Sequence, residues 1–147
     1  MSTSLTIPCQ HCGALNQMPA ERTGEQPKCG RCKTALFEGR PIELTAQNFD
    51  AVAGRGEIPL LVDFWAPWCA PCKGFAPVFA DAARRLEPRL RLAKLDTEAQ
   101  PQLAQRFDIR SIPTLLLLKQ GREIARQAGA LNAAQLQQFV DGALKPD

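Results

Sequence analysis

Six cysteines fall into three C-x-x-C pairs, Cys9/Cys12, Cys29/Cys32 and Cys69/Cys72, and their spacing constrains this chain more than any other feature. The first two pairs form C-x2-C-x16-C-x2-C. That is the spacing of a closed four-cysteine zinc site, in which each pair makes a knuckle and one tetrahedral metal joins them. Gly13 follows the first pair and Gly30 lies within the second, which suits tight turns that aim backbone N–H groups at sulfur. The stretch from Asn16 to Lys28 is polar, contains Pro19, Gly24 and Pro27, and reads as a loop. About 40 residues with so few large apolar side chains cannot bury much core, whereas a structural zinc supplies roughly 10 kcal/mol or more. The competing reading makes these four residues two disulfides or two redox pairs. Compartment and spacing favour zinc. His11, inside the first pair, is expected to be a bystander.

The chain has 147 residues, 45% hydrophobic and 22% charged, with a net charge of +3. That balance is ordinary for a globular protein and too weakly basic to imply a polyanionic partner. Residues 1–40 carry five Lys/Arg against three Asp/Glu, and Phe37 is their only aromatic side chain. Neither a basic patch nor a stacking platform is present, so no nucleic-acid partner is expected. The first residues lack a basic, apolar leader, and no run approaches the ~20 apolar residues of a membrane span. A soluble cytosolic protein is therefore expected, and in that reducing compartment paired cysteines bind metal or do redox work.

From about Pro41 the texture becomes periodic. The boundary falls within residues 37–41, with Gly39-Arg40-Pro41 as the hinge, giving a ribbon over 1–38 and a second unit over 41–147. Thr45 is placed to cap a helix carrying Phe49 and Val52, and residues 60–65 form an apolar run fit for a buried strand. A helix from about Cys69 carries Phe75, Phe79, Ala82, Ala83 and Leu86, with a kink at Pro77. Residues 90–95 read as a strand and 99–107 as a helix. Residues 114–119 and 123–127 read as strands turning at Gln120-Gly121, and Asn132 caps a last helix carrying Leu136, Phe139, Val140, Ala143 and Leu144. Alternation of this kind predicts an α/β fold with a mixed sheet covered on both faces.

The third pair lies in Trp65-Ala66-Pro67-Trp68-Cys69-Ala70-Pro71-Cys72-Lys73, after the buried strand and at a helix start. Free N–H groups and the positive end of the helix dipole stabilise a thiolate there, which makes Cys69 the expected nucleophile. Cys72, one turn on, is the expected resolving thiol.

Here the sequence resembles the thioredoxin family over residues 41–144, with Trp-Cys-Ala-Pro-Cys-Lys in place of the familiar Trp-Cys-Gly-Pro-Cys-Lys. Asp63-Phe64-Trp65-Ala66, Ala76-Pro77, Ala93-Lys94-Leu95-Asp96, Ile109-Arg110-Ser111-Ile112-Pro113-Thr114, Lys119-Gln120-Gly121 and Gly129-Ala130 follow in family order. With the four-cysteine preface, the chain is similar to the zinc-bearing thioredoxin-2 type. The resemblance implies a thioredoxin fold preceded by a zinc ribbon, and a protein-disulfide reductase recharged by an NADPH-dependent thioredoxin reductase. It also implies that Asp63 is a buried carboxylate accepting a proton from Cys72 with Lys94 tuning it. Pro113 is implied to be cis opposite the cysteines, and Trp68, Ile112, Gly129 and Ala130 to surround them as an apolar contact surface. Ala70 departs from the usual glycine, which leaves the reduction potential open. The alternative function is a redox-sensing zinc chaperone or interaction protein whose ribbon opens on oxidation.

Overall fold

The computed structural model describes residues 3–144. The expected loop over residues 16–28 is in part a strand. Strand β1 (Ser4–Pro8) pairs antiparallel with β2 (Leu15–Pro19), Ile7 opposite Asn16 and Thr6 opposite Gln17. The polar composition of β2 concealed it, because Met18 is the one β2 side chain packed against the small apolar core and the rest of the strand carries no alternation. Chain from Ala20 onward then forms a single short helical turn and a loop leading to the second knuckle.

The larger unit is one five-stranded sheet in the order β3-β5-β4-β6-β7, built from β3 (Ile42–Glu43), β4 (Leu60–Trp65), β5 (Arg91–Asp96), β6 (Thr114–Lys119) and β7 (Arg122–Ala128). Strands β3, β5 and β4 run parallel, while β6 and β7 continue antiparallel. Strand alternation sorts the side chains into two cores. On one face Val62, Phe64, Ala93, Leu95, Leu116 and Leu118 meet Phe49, Val52 and Phe107. On the other, Leu61, Leu92, Leu115 and Leu117 meet α1 (Ala70–Leu86) and α3 (Ala133–Ala143) through Phe75, Phe79, Ala82, Leu86, Leu136 and Val140. Each Val, Leu or Phe side chain taken fully out of water contributes roughly 1.5–3 kcal/mol, which makes these layers the stable platform for the sites.

Several local expectations are met in detail. Thr45 Oγ1 accepts from the Gln47 N–H at 3.2 Å and opens a helical segment that ends in a widened turn over Asp50–Gly54. Asn132 caps α3 in a reciprocal box with Gln135. Helix α1 runs through Pro77 without ending. Helix α2 (Pro101–Arg106) is shorter than the 99–107 pattern suggested, because Pro101 sets its start. Among the described residues no helix is long and apolar enough to cross a membrane.

The ribbon is not a free appendage. Ile58, from the loop before β4, packs with Ile7, Cys9, Cys29 and Leu36 in one small core. Thr6 donates its N–H to Glu57 Oε1 at 2.7 Å and accepts from the Glu57 N–H at 3.0 Å. At Gly56 a Cβ would stand 3.0 Å from the Val52 carbonyl oxygen and 3.2 Å from Pro8 Cδ, so a bare backbone lets the two parts close.

Candidate active site and metal centre

Cys69 is the N-cap residue of α1, and its sulfur accepts from the Cys72 backbone N–H at 3.2 Å. Cys69 and Cys72 are joined in a disulfide, Cα to Cα 5.2 Å, and both are buried. Pro71 in the first turn removes an N–H that would have had no helical partner. The helix end therefore directs a free N–H at the Cys69 sulfur, the arrangement that favours a thiolate once the bond is reduced.

On the far side of the pair the Ile112–Pro113 peptide bond is cis, and the Ile112 carbonyl oxygen lies 3.9 Å from Cys69 Sγ. Trp68 is 66% exposed and shares with Thr97, Ile109, Arg110 and Ile112 a shallow cleft of about 190 Å³. Gly129, at φ +98°, donates its N–H to the Pro113 carbonyl at 2.8 Å, and exposed Ala130 follows it. An apolar, open surface thus surrounds a nearly covered disulfide.

Behind the pair, β4 places Asp63 on the α1 side of the sheet, where it is only 4% exposed and its Oδ1 has no hydrogen-bond partner. Burial pushes its pKa from 3.8 up to about 7, against the opposing pull of Lys94, its register neighbour on β5. Lys94 forms no ion pair with it and instead stands over the Trp65 ring at 5.2 Å. Asp63, Lys94, Trp65, Cys72 and Pro41 line one cavity of about 210 Å³. The cavity is large enough to admit a water molecule beside the carboxyl and the Cys72 side chain.

The four ribbon cysteines are drawn together. Their sulfurs lie within 4.8 Å of one another, with Cys9 to Cys32 and Cys12 to Cys29 each 3.6 Å. Tetrahedral zinc with sulfurs at 2.3 Å requires edges of about 3.8 Å, so this donor set fits zinc with no further ligand. The two knuckles are built alike: His11 N–H points at Cys9 Sγ and Arg31 N–H at Cys29 Sγ, each at 3.4 Å. The Gly13 and Lys33 N–H groups close the turns onto the Cys9 and Cys29 carbonyls. Gly13 has φ +78° and Lys33 φ +67°. Gly30 lies in the turn of the second knuckle, as its position suggested, but its own N–H goes to Asn16 Oδ1 at 2.8 Å and the left-handed residue there is Lys33. His11 turns away from the sulfurs, its Nε2 3.0 Å from Glu38 Oε1. Sequence reasoning passed over Asn16 and, more seriously, Arg91. The one signal for Arg91 was a charge at the head of a strand, between Leu90 and Leu92.

A redox-active cysteine pair at a helix start on this sheet, with a cis-proline opposite, defines a thiol–disulfide oxidoreductase. A family model described as Thioredoxin matches residues 40–142, and one described as Thioredoxin 2, N-terminal, a zinc ribbon, matches residues 8–34. Thioredoxin C-3 of Corynebacterium nephridii is 45% identical over 141 residues, covering 96% of this chain and 97% of the relative. Putative thioredoxin 2 of Streptomyces coelicolor is 47% identical over 106 residues, 72% of this chain and 78% of the relative. Thioredoxin of Haemophilus influenzae is 39% identical over 100 residues, 68% and 94% respectively. The chain belongs to the thioredoxin family, and it is a disulfide reductase that cycles Cys69 and Cys72 between dithiol and disulfide, preceded by a four-cysteine zinc-ribbon element.

Proposed function

We propose that Cys69 is the attacking thiol, Cys72 the resolving thiol and Asp63 the group that takes the Cys72 proton, with disulfides of folded or partly folded proteins as substrates. Cys69 at the α1 N-cap carries this reading. Its thiolate attacks one substrate sulfur, and the other leaves as a thiolate that takes up a proton. Cys72 then passes its proton across the shared cavity to the Asp63 carboxylate and attacks Cys69 Sγ. The Cys69–substrate bond breaks, the second substrate sulfur leaves as a thiolate that takes up a proton, and the Cys69–Cys72 disulfide remains. Lys94 holds part of the Asp63 charge in check. Trp68, Ile112, Pro113, Gly129 and Ala130 form the surface on which an extended substrate lies. Two electrons and two protons return from an NADPH-dependent thioredoxin reductase, and the cytosol is the compartment in which such a reductant operates.

The ribbon binds one zinc through Cys9, Cys12, Cys29 and Cys32, leaving no open position for chemistry. Residues 1–38 and 41–147 are the two units on this reading. A Cys72→Ser variant incubated with an oxidised protein substrate is expected to accumulate a mixed disulfide visible on non-reducing electrophoresis, and Cys69→Ser none. The reverse pattern would overturn the assignment.

A further inference from the structure

Arg91, the first residue of β5, is 2% exposed. All three of its side-chain hydrogen bonds reach out of the sheet into the ribbon: Nη1 donates to the Pro8 carbonyl at 2.7 Å, and Nη2 to Gln10 Oε1 at 2.9 Å and the Leu36 carbonyl at 3.1 Å. The guanidinium also stands over the Phe37 ring, 5.6 Å from its centroid. Pro8 immediately precedes Cys9, Gln10 lies inside the first knuckle, and Leu36 follows the second. A single planar group therefore fixes the chain on both sides of the sulfur cluster, a geometry that lysine does not reproduce.

Hydrogen bonds do not neutralise this cation. Among the described residues no carboxylate is ion-paired with Arg91. Glu87 is the main acidic influence on it, followed by Cys9 and Glu38. Glu87 spends its Oε1 on the Gly39 N–H at 2.7 Å, and burial raises its own pKa. Glu38 is engaged by Gln10 and His11. A buried charge that lacks a paired partner is costly unless another charge lies close by. Four thiolates around one divalent ion carry a net charge of two negatives, and fully buried Cys9 brings that charge to the residue next to Pro8.

We propose that Arg91 is a positioning residue of the metal site, a cation supplied by the thioredoxin sheet that offsets part of the negative charge of the zinc–thiolate cluster and orients both knuckles. The proposal rests on the zinc reading above. It makes metal retention a property of the whole molecule, since one of the groups that hold the cluster in shape lies on the central sheet.

The full-length chain tests it, as zinc-loaded protein challenged with a chromophoric chelator and as cobalt-substituted protein read by absorption. Arg91→Gln is expected to release zinc roughly 10–100-fold faster, the range seen when an outer partner of a metal ligand is lost. Its thiolate-to-cobalt charge-transfer band is expected at lower energy, because removing a nearby positive charge raises the sulfur electrons. Arg91→Lys keeps the charge but not the fork, so faster release with an unshifted band is expected, and this variant decides the matter if Arg91→Gln does not fold. Ile58→Ala loosens the same contact surface without altering any charge, and is expected to keep the wild-type band. Wild-type release in Arg91→Lys, or in Arg91→Gln with an unshifted band, would overturn the proposal. Equal acceleration in Ile58→Ala and Arg91→Gln with no band shift in either would reduce Arg91 to an ordinary contact. Wild-type protein that takes up neither zinc nor cobalt would instead defeat the zinc reading itself.

Discussion

Asp63 is held between two demands. The apolar strand that positions it beside Cys72 also raises its pKa from 3.8 to about 7, which corresponds to an upper bound of roughly 4 kcal/mol against the ionised form. Because the folded-state pKa is the higher one, the folded chain binds this proton more tightly. The favourable contribution is full below about pH 4 and is lost as pH rises through about 7. Asp63→Asn is therefore expected to match wild type at pH 4 and to exceed it by up to about 4 kcal/mol above pH 7 in denaturant titrations. The same variant should slow the resolving step in single-turnover disulfide reduction, so activity and stability move in opposite directions. Equal midpoints at pH 8 would place the carboxyl in solvent. At the same scale, the left-handed residues of the two knuckles differ. Gly13, at φ +78° with open space around it, is expected to lose about 1 kcal/mol on change to Ala, from backbone conformation alone. Thermal melts of the zinc-loaded Gly13→Ala variant measure this.

Elements were legible where periodic burial dictated them. β4, with its run of buried side chains, and α3, with its Asn132 box, stood out from residue pattern and cap chemistry. β2 did not, since Leu15-Asn16-Gln17-Met18-Pro19 has neither an apolar run nor strand-forming composition, and pairs with β1 because the first knuckle folds it back. The division of the cysteines into one disulfide pair and one four-sulfur cluster was visible because each pair has a spacing with chemical meaning. Arg91 and Lys33 were not, because one depends on what the sheet packs against and the other on a turn that tolerates a non-glycine residue. Gly30 sits in the turn of the second knuckle, but the left-handed position there falls to Lys33, which repeats the backbone that Gly13 takes in the first.

At the scale of the molecule, the five-stranded sheet holds both large cores without help from residues before Gly39. A chain beginning at Arg40 is expected to fold and to reduce disulfides, with a lower thermal midpoint because Ile58 and the Arg91 guanidinium lose their cover. Circular dichroism melts and an insulin-reduction assay measure the two halves of that expectation. Loss of both structure and turnover would make the ribbon part of the fold itself. The dependence also runs the other way. Ile58 completes the ribbon's small core and Arg91 supplies three of its hydrogen bonds, so residues 1–38 do not constitute a portable cassette. Fused to a foreign thioredoxin body, the segment would meet neither the apolar plug nor the guanidinium fork, and a working chimera would have to transplant both acceptor positions with it.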